Sequence, residues 1–235
     1  MLIDIATMQY KRLHLLPRWL ICMQEQTMVD SIRVNIWNNT GKEIDIPQGF
    51  SFPIRVFGLP EYQNLGSQAR FRLAMHLESE HIVYLDDHSF AEPNFMEVAV
   101  KYARKYPKDI LGNTGKRMKP GENYYDAPGF FGKPESEVDY ISTTTMILPL
   151  EYAQLPILRN IPYPHWQVED VYFAYIMAKM GVVSRRVPLP AKTPHDKHAA
   201  CLTYRALGME AAYEELRKDW VLLCEKGQKR DERSL

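Results

Sequence analysis

His81-Ile82-Val83-Tyr84-Leu85-Asp86-Asp87-His88 is the stretch whose reading decides the fold. Four apolar residues in a row, bounded by polar ones, predict a buried strand. That strand runs straight into two carboxylates and an imidazole. A buried carboxylate needs a partner, and two adjacent carboxylates repel each other. A divalent cation relieves both conditions. In an extended segment residues two apart share a face, so Asp86 and His88 are expected to point into one site and Asp87 away from it. The competing reading is a strand ending in a solvated acidic turn.

Upstream, residues 1–7 read as a short buried strand and residues 9–12 as the turn after it. Residues 13–26 carry apolar side chains at helical spacing, with Pro17 near the first turn. Residues 31–37 alternate Ile, Val and Ile against polar side chains, which predicts a second strand ending in the turn Asn38-Asn39-Thr40-Gly41. A third strand is expected at 53–57 and a helix at 64–78. The order β-α-β-β-α-β predicts an α/β domain whose mainly parallel central sheet is flanked by helices. Ligands of such sheets bind outside the carboxyl ends of the strands. Residues 7–12, Asn38 with Asn39, and residues 86–88 all lie at those ends, so three polar clusters are expected to share one crevice.

Downstream, a helix is expected at 93–106 and a strand at 140–148. Residues 112–132 are rich in Gly, Pro, Lys and aromatics, and long loops of this kind are often functional. A proline-rich loop spans 156–165. A helix opens at 167–170 and stops at Gly181, a short strand follows at 182–187, and a loop with two prolines and two histidines spans 189–198. Residues 202–226 read as mostly helical and 226–235 as a charged tail. The expected organisation is one domain over 1–198 and a C-terminal helical extension over 199–235.

Composition excludes some classes. Lys plus Arg and Asp plus Glu are 29 each in 235 residues, so nothing in the overall charge favours nucleic acid or an acidic membrane. Three cysteines without CxxC spacing argue against a disulfide framework or a zinc site and fit a reducing compartment. The most apolar early stretch, 13–23, is too short to span a bilayer and is broken by Pro17 and Arg18. No signal peptide is visible. A soluble cytoplasmic protein, at most peripheral to a membrane, is expected.

Taken in order, these residues resemble the GT-A (Rossmann-like) glycosyltransferases, most similar to the family 2 group. That family opens with a strand followed by Thr/Pro-x-Tyr-Asn/Lys-Arg, which Thr7-Met8-Gln9-Tyr10-Lys11-Arg12 matches with one extra residue. Its second strand ends in a polar residue that reads the nucleotide base, the place of Asn38 or Asn39. Its next helix begins Asn-x-Gly and carries an Ala-Arg pair, matched by Asn64-Leu65-Gly66 and Ala69-Arg70 one residue tighter. The strand into Asp-x-Asp is matched by Tyr84 to His88, and a Glu-Asp pair at a helix start by Glu169-Asp170. The likeness runs over about residues 1 to 190 in order, more than any single short motif offers. The departure is His88 in the last position of Asp-x-Asp. An Asp-x-His version occurs in the polypeptide N-acetylgalactosaminyltransferases, where the imidazole binds manganese. Imidazole with carboxylate suits Mn²⁺ better than Mg²⁺.

The resemblance implies a metal-dependent transferase that moves a sugar from a UDP- or GDP-linked donor to a hydroxyl of a glycan or glycoprotein acceptor, with inversion. It implies Mn²⁺ (or Mg²⁺) on Asp86 and His88, with His195 as a further ligand and His198 as second candidate. Thr7, Tyr10, Arg12, Asn38, Asn39, Arg70, Asp86 and Asp87 would hold the nucleotide sugar, with Asp87 on the ribose or a basic neighbour. Asp170 would be the catalytic base, and Glu169 an acceptor contact or a lesser candidate for the base. Each role has a plainer counterpart. Acidic residues at a helix start are stabilised by the dipole without catalysis. An arginine on a helix is commonly exposed, and Lys116, Arg117 and Lys119 form a charge run that is commonly solvated. Trp166, Tyr124 and Tyr125 serve equally as sugar platforms or packing anchors. The rivals are a retaining transferase, a nucleotidyltransferase and a non-catalytic sugar-binding protein. Residues 7–12 contain no glycine, which argues against a nucleotidyltransferase phosphate loop.

Overall fold

In the computed structural model, which describes residues 2–58, 64–117, 133–161, 169–193 and 216, the first strand is buried on both faces. Such a strand belongs inside a sheet with a layer on either side. The first half of the chain forms β1 (Ile3–Gln9), α1 (Leu16–Gln24), β2 (Ile32–Asn38), β3 (Ile54–Phe57), α2 (Ala69–Ala74), β4 (His81–Leu85), β5 (Phe90–Ala91) and α3 (Phe95–Lys105). Then come β6 (Ile110–Gly112), β7 (Gly115–Lys116), β8 (Glu137–Val138), β9 (Tyr140–Ile141), β10 (Thr145–Pro149) and α4 (Leu150–Ala153). α5 (Glu169–Lys179), β11 (Ser184–Arg186) and β12 (Ala191–Lys192) complete the described elements.

The main sheet has the order β3-β2-β1-β4-β10-β6-β11-β8. β3, β2, β1 and β4 pair in parallel, as do β6 and β11, while β10 and β8 run the other way. The sheet is therefore mostly parallel, as expected. Two small ribbons, β5 with β12 and β7 with β9, flank it.

Each face of the sheet carries its own core. Ile3, Ile5, Val34, Ile36, Val83 and Ile147 pack against α1 and α3, and Ala6, Ile82, Tyr84 and Leu148 against α2, α4 and α5. α1 buries Leu16, Trp19, Leu20 and Met23, a stripe at i, i+3, i+4 and i+7. Leu216 is helical and buried in the α5-side core. The rest of the expected extension, and the boundary at 198, lie outside the described residues. No helix among the described residues is long and apolar enough to cross a membrane.

Four expectations from the sequence need correction, the first being the loop over 189–198, which carries β12 paired with β5. The helix expected from residue 13 begins at Leu16, after a 3-10 turn over Leu13–Leu15. Pro17 has no N–H and clashes with a preceding turn, so it must stand in the first turn. The helix expected over 64–78 is only the six residues of α2, entered through a 3-10 turn whose Gly66 has φ +62°. The strand expected over 140–148 is broken at residues 142–144. There the Ser142 hydroxyl accepts bonds from the Thr144 amide and hydroxyl, a local bonding that competes with the ladder.

One buried carboxylate ties the parallel half of the sheet together. Asp4 accepts from Arg33 Nε at 2.7 Å and Nη2 at 2.9 Å, and from Asn35 Nδ2 at 2.8 Å. Arg55 on β3 stands 3.6 Å away, and the amides of Glu78 and Ser79 donate from the approach to β4. Burial by itself would raise the Asp4 pKa, but these donors outweigh it and hold the group at about 2. A carboxyl whose pKa is lowered by folding contributes stability above its unfolded value, and that contribution is lost as pH falls through the folded one. Urea unfolding should show about 2 kcal/mol of stability disappearing between pH 4 and pH 2. Asp4→Asn should remove that acid-dependent loss and cost about 3–5 kcal/mol at pH 7, because Arg33 is left without its counter-charge. An unchanged midpoint at pH 7 would show that the cluster contributes nothing.

Candidate functional site

Arg70 joins the sequence motifs that lie farthest apart. α2 carries it into the interior beside Tyr84 of β4, where only 5% of the residue is exposed. Its Nη2 stands 3.5 Å from Asp86 Oδ1 and its Nε 3.1 Å from Glu169 Oε1. Nη1 donates to the Thr143 carbonyl at 3.4 Å, inside the break between β9 and β10. The Tyr84 hydroxyl donates to the Arg70 carbonyl at 3.1 Å and fixes the helix to the strand. A buried guanidinium is tolerated because carboxylates on two elements flank it. The plainer reading of Arg70 as an exposed helical arginine gives way to a buried hub.

The two carboxylates it holds are not ordinary. Burial raises the pKa of Asp86, against the pull of Arg70 and His88. Glu169 is 2% exposed, and burial with the charge of Asp170 beside it pushes its pKa up to about 8, although Arg70 and a hydrogen bond donated by the Ser67 hydroxyl oppose this.

The acidic motif itself is a turn, not an extended segment. β4 ends at Leu85, and the Ser89 amide donates to the Asp86 carbonyl at 2.9 Å. The alternation expected for residues 86–88 therefore does not apply. Asp87 is buried, pairs with Arg12 Nη1 at 2.9 Å and sits 3.3 Å from His88 Nδ1. That contact orients the imidazole and leaves Nε2 as the ring nitrogen outside it. Trp19 Nε1 donates to the Asp86 carbonyl at 3.1 Å and fastens the turn to α1.

Asp170 opens α5 next to Glu169. Its Oδ2 accepts from the Tyr140 hydroxyl at 2.6 Å and its Oδ1 from the Val171 amide at 2.8 Å. Lys116 is half-buried; burial lowers its pKa and Asp170 raises it. Arg117 donates to the Glu137 carbonyl from Nε at 3.2 Å and from Nη2 at 3.1 Å.

The two asparagines are occupied within the chain. Asn38 donates to the Lys42 carbonyl at 2.7 Å and accepts from the Thr40 amide and hydroxyl. Asn39 donates to the Gly66 carbonyl at 2.9 Å and accepts from Trp37 Nε1 and the Leu65 amide. Asn39 thus fixes the turn that launches α2 and, with it, Arg70. Tyr10 is exposed, and Thr7 is buried at the end of β1.

Sequence reading passed over four residues. Ser67 and Tyr140 hold the Glu-Asp pair. Gln9 and Thr145, like Thr7, are buried with side-chain polar atoms that make no hydrogen bond among the described residues. Strand alternation and register set Thr7 and Thr145 either side of Leu85 on one face. Among the described residues, no group of three or more His, Cys, Asp or Glu is arranged to hold a metal ion. His195, His198, Lys119, Tyr124, Tyr125 and Trp166 lie outside the described residues.

This sheet, with one antiparallel strand beside β4 and an acidic turn at the end of β4, is the architecture of the GT-A fold. The solved structures it resembles include TarS of S. aureus, at a TM-score of 0.53 and 13% identity, over 80% of this chain and 35% of that one. Residues 1–349 of TarS in complex with UDP-GlcNAc match at a TM-score of 0.61 and 14% identity, over 86% of this chain and 61% of that one. The same segment in complex with UDP matches at 0.55 and 16%, over 80% and 58%. At such identities the likeness is one of fold, and the chain spans about a third to three-fifths of the length of those structures. No protein-family model and no curated protein matches the sequence.

The burial of Glu169 has a measurable consequence. A carboxyl whose pKa is raised by folding contributes most below its unfolded value and loses that contribution as pH rises through the folded one. The thermal midpoint should therefore fall between about pH 5 and pH 8.5, and Glu169→Gln should flatten that fall. Equal slopes in the two proteins would place the ionised carboxylate comfortably in its pocket.

Proposed function

We propose that this chain is a metal-dependent glycosyltransferase that moves a sugar from a nucleotide-diphosphate donor to an acceptor hydroxyl with inversion. The observation that carries the reading is Arg70, which gathers the acidic turn after β4 and the Glu-Asp start of α5 around one buried charge. Two acidic elements, one at a strand end and one at a helix start, are what a displacement at an anomeric carbon needs. One serves the departing diphosphate and the other the incoming hydroxyl. The TarS structures with UDP-GlcNAc and UDP support a sugar nucleotide as donor and favour UDP over GDP. A glycan or glycoprotein is the acceptor class, and balanced charge with an odd cysteine count fits a cytoplasmic enzyme.

The residues present suit Mn²⁺ better than Mg²⁺. The carboxyl of Asp86 is desolvated and short of full compensation, and His88 brings an imidazole whose Nδ1 is already oriented by Asp87. Asp86 and His88 would hold the ion, with His195 as a further ligand, and Arg12 would face the donor beside Asp87. When bound, the ion supplies charge neutralisation for the diphosphate. Arg70 bridges Asp86 and Glu169, and Glu169 would stand as the acceptor-side neighbour of the base.

Asp170 is the general base. As the acceptor oxygen forms its bond to the anomeric carbon, its proton passes to the Asp170 carboxylate. The bond from that carbon to the diphosphate breaks with its electron pair, and the nucleoside diphosphate leaves. Positioned base catalysis of this kind contributes about 10²–10⁴-fold. Asp170→Asn should lower kcat at least about 10²-fold while donor affinity, measured by calorimetry, stays nearly unchanged. Normal turnover in Asp170→Asn together with loss in Glu169→Gln would exchange their roles. Retention of the donor's anomeric configuration would overturn inversion.

Metal dependence is tested separately. UDP-GlcNAc should bind in Mn²⁺ and lose affinity in chelator, and Asp86→Ala and His88→Ala should each weaken binding in Mn²⁺. Equal affinity with and without metal would refute that part of the reading.

A further inference from the structure

We propose that Tyr140 is a positioning residue for the general base, aiming the Asp170 carboxylate at the acceptor hydroxyl. The inference rests on the reading of Asp170 as base and adds a residue to which the sequence assigned no role.

An aspartate at a helix start rotates freely unless its oxygens are engaged. Here both are. The Val171 amide donates to Oδ1 at 2.8 Å, a local bond that needs no tertiary structure. The Tyr140 hydroxyl donates to Oδ2 at 2.6 Å from thirty residues upstream in the chain, a length typical of a bond to a charged oxygen. Only the second bond selects the orientation of the carboxylate relative to the sheet. Each oxygen has two lone pairs, so neither of these two bonds by itself uses up its oxygen.

The donor is held rigidly. Tyr140 is 3% exposed, so its ring has no room to swing. It lies in β9, where it pairs with Lys116 of β7, and Gly115 pairs with Ile141. A Cβ at Gly115 would stand 2.8 Å from Val138 Cγ2 and 3.0 Å from the Tyr140 carbonyl. One at Gly112 would stand 2.3 Å from Ile141 Cγ2 and 2.6 Å from the Thr145 carbonyl. Two missing side chains thus let the ribbon lie directly against the sheet, which sets the depth at which Tyr140 meets α5.

Among the described residues, charges from three elements act on Asp170. Glu169 of its own helix repels its charge, while Arg70 of α2 and Lys116 of β7 attract it. Among the described residues, Tyr140 on β9 adds a directional donor from another element. Removing its hydroxyl leaves the ring packing and the charges in place and takes away the aim.

The test uses the full chain, UDP-GlcNAc as donor and an acceptor on which the unmodified protein shows transfer. Tyr140→Phe should lower kcat about tenfold, with the KM for UDP-GlcNAc within about twofold and the thermal midpoint close to that of the parent. The acid limb of its kcat profile should move to higher pH. Tyr140→Phe combined with Asp170→Asn should be no slower than Asp170→Asn alone, because Tyr140 acts through that carboxylate. Losses that multiply, or a kcat equal to the parent's, overturn the proposal. If Tyr140→Phe does not fold, 3-fluorotyrosine at position 140 keeps the shape and makes a stronger donor. It should move the acid limb to lower pH, and an unmoved limb overturns the proposal. An unmodified protein that folds but transfers sugar from no nucleotide donor refutes the functional reading itself, and the inference with it.

Discussion

A guanidinium buried between two carboxylates is the constraint on which the rest of this site depends. Arg70 cannot be moved into the interior without counter-charges, because desolvation of an unpaired charge costs several kcal/mol. Asp86 and Glu169 meet that need from two separate elements. Their positions are in turn decided by elements with little else in common. The tight turn after β4 presents Asp86, and the first turn of α5 presents Glu169. Ser67 and the Thr143 carbonyl fill the remaining hydrogen-bonding capacity around them.

The same arrangement separates two adjacent acids. Glu169 lies under α2 in a dry setting that pushes its pKa up, beside a cation that only partly compensates. Asp170 faces the β7–β9 ribbon, where a tyrosine hydroxyl and a backbone amide donate to it. Neighbours in sequence thus occupy different chemical environments. The distinction depends on helix geometry, since consecutive residues on a helix point about 100° apart.

The two ends of the sheet differ in how well their polar groups are satisfied. Asp4, Arg33, Asn35 and Arg55 lock the strands toward the amino end of β1, far along the strands from the acidic turn. The carboxyl end is less well satisfied. Among the described residues, Thr7, Gln9 and Thr145 keep buried polar atoms there without hydrogen bonds, and Asp86 lies 3.5 Å from Arg70. Proteins accept such costs where a ligand is to be received.

The sequence by itself determined the layout. The apolar run 82–85, the alternation at 32–36 and the stripe on α1 are local patterns, and each specifies its element through side-chain burial alone. Their order was enough to place the three polar clusters at one edge of a mostly parallel sheet. What only the tertiary structure decided is how those clusters are wired. The turn at 86–89 was read as extended because alternation does not reveal where a strand stops. The bonds that Asn38 and Asn39 make within the chain, for Asn39 to the turn before α2, are not legible in the local sequence. Arg70 looked like any helical arginine, since nothing within a few residues of it reports that Glu169 lies 3.1 Å away. Tyr140 looked like one β-branched strand's first aromatic residue, and its meeting with Asp170 needed two glycines and a ribbon to bring it close. Contacts between residues thirty to a hundred apart are products of packing, and packing is the part of the energy that local sequence patterns do not carry.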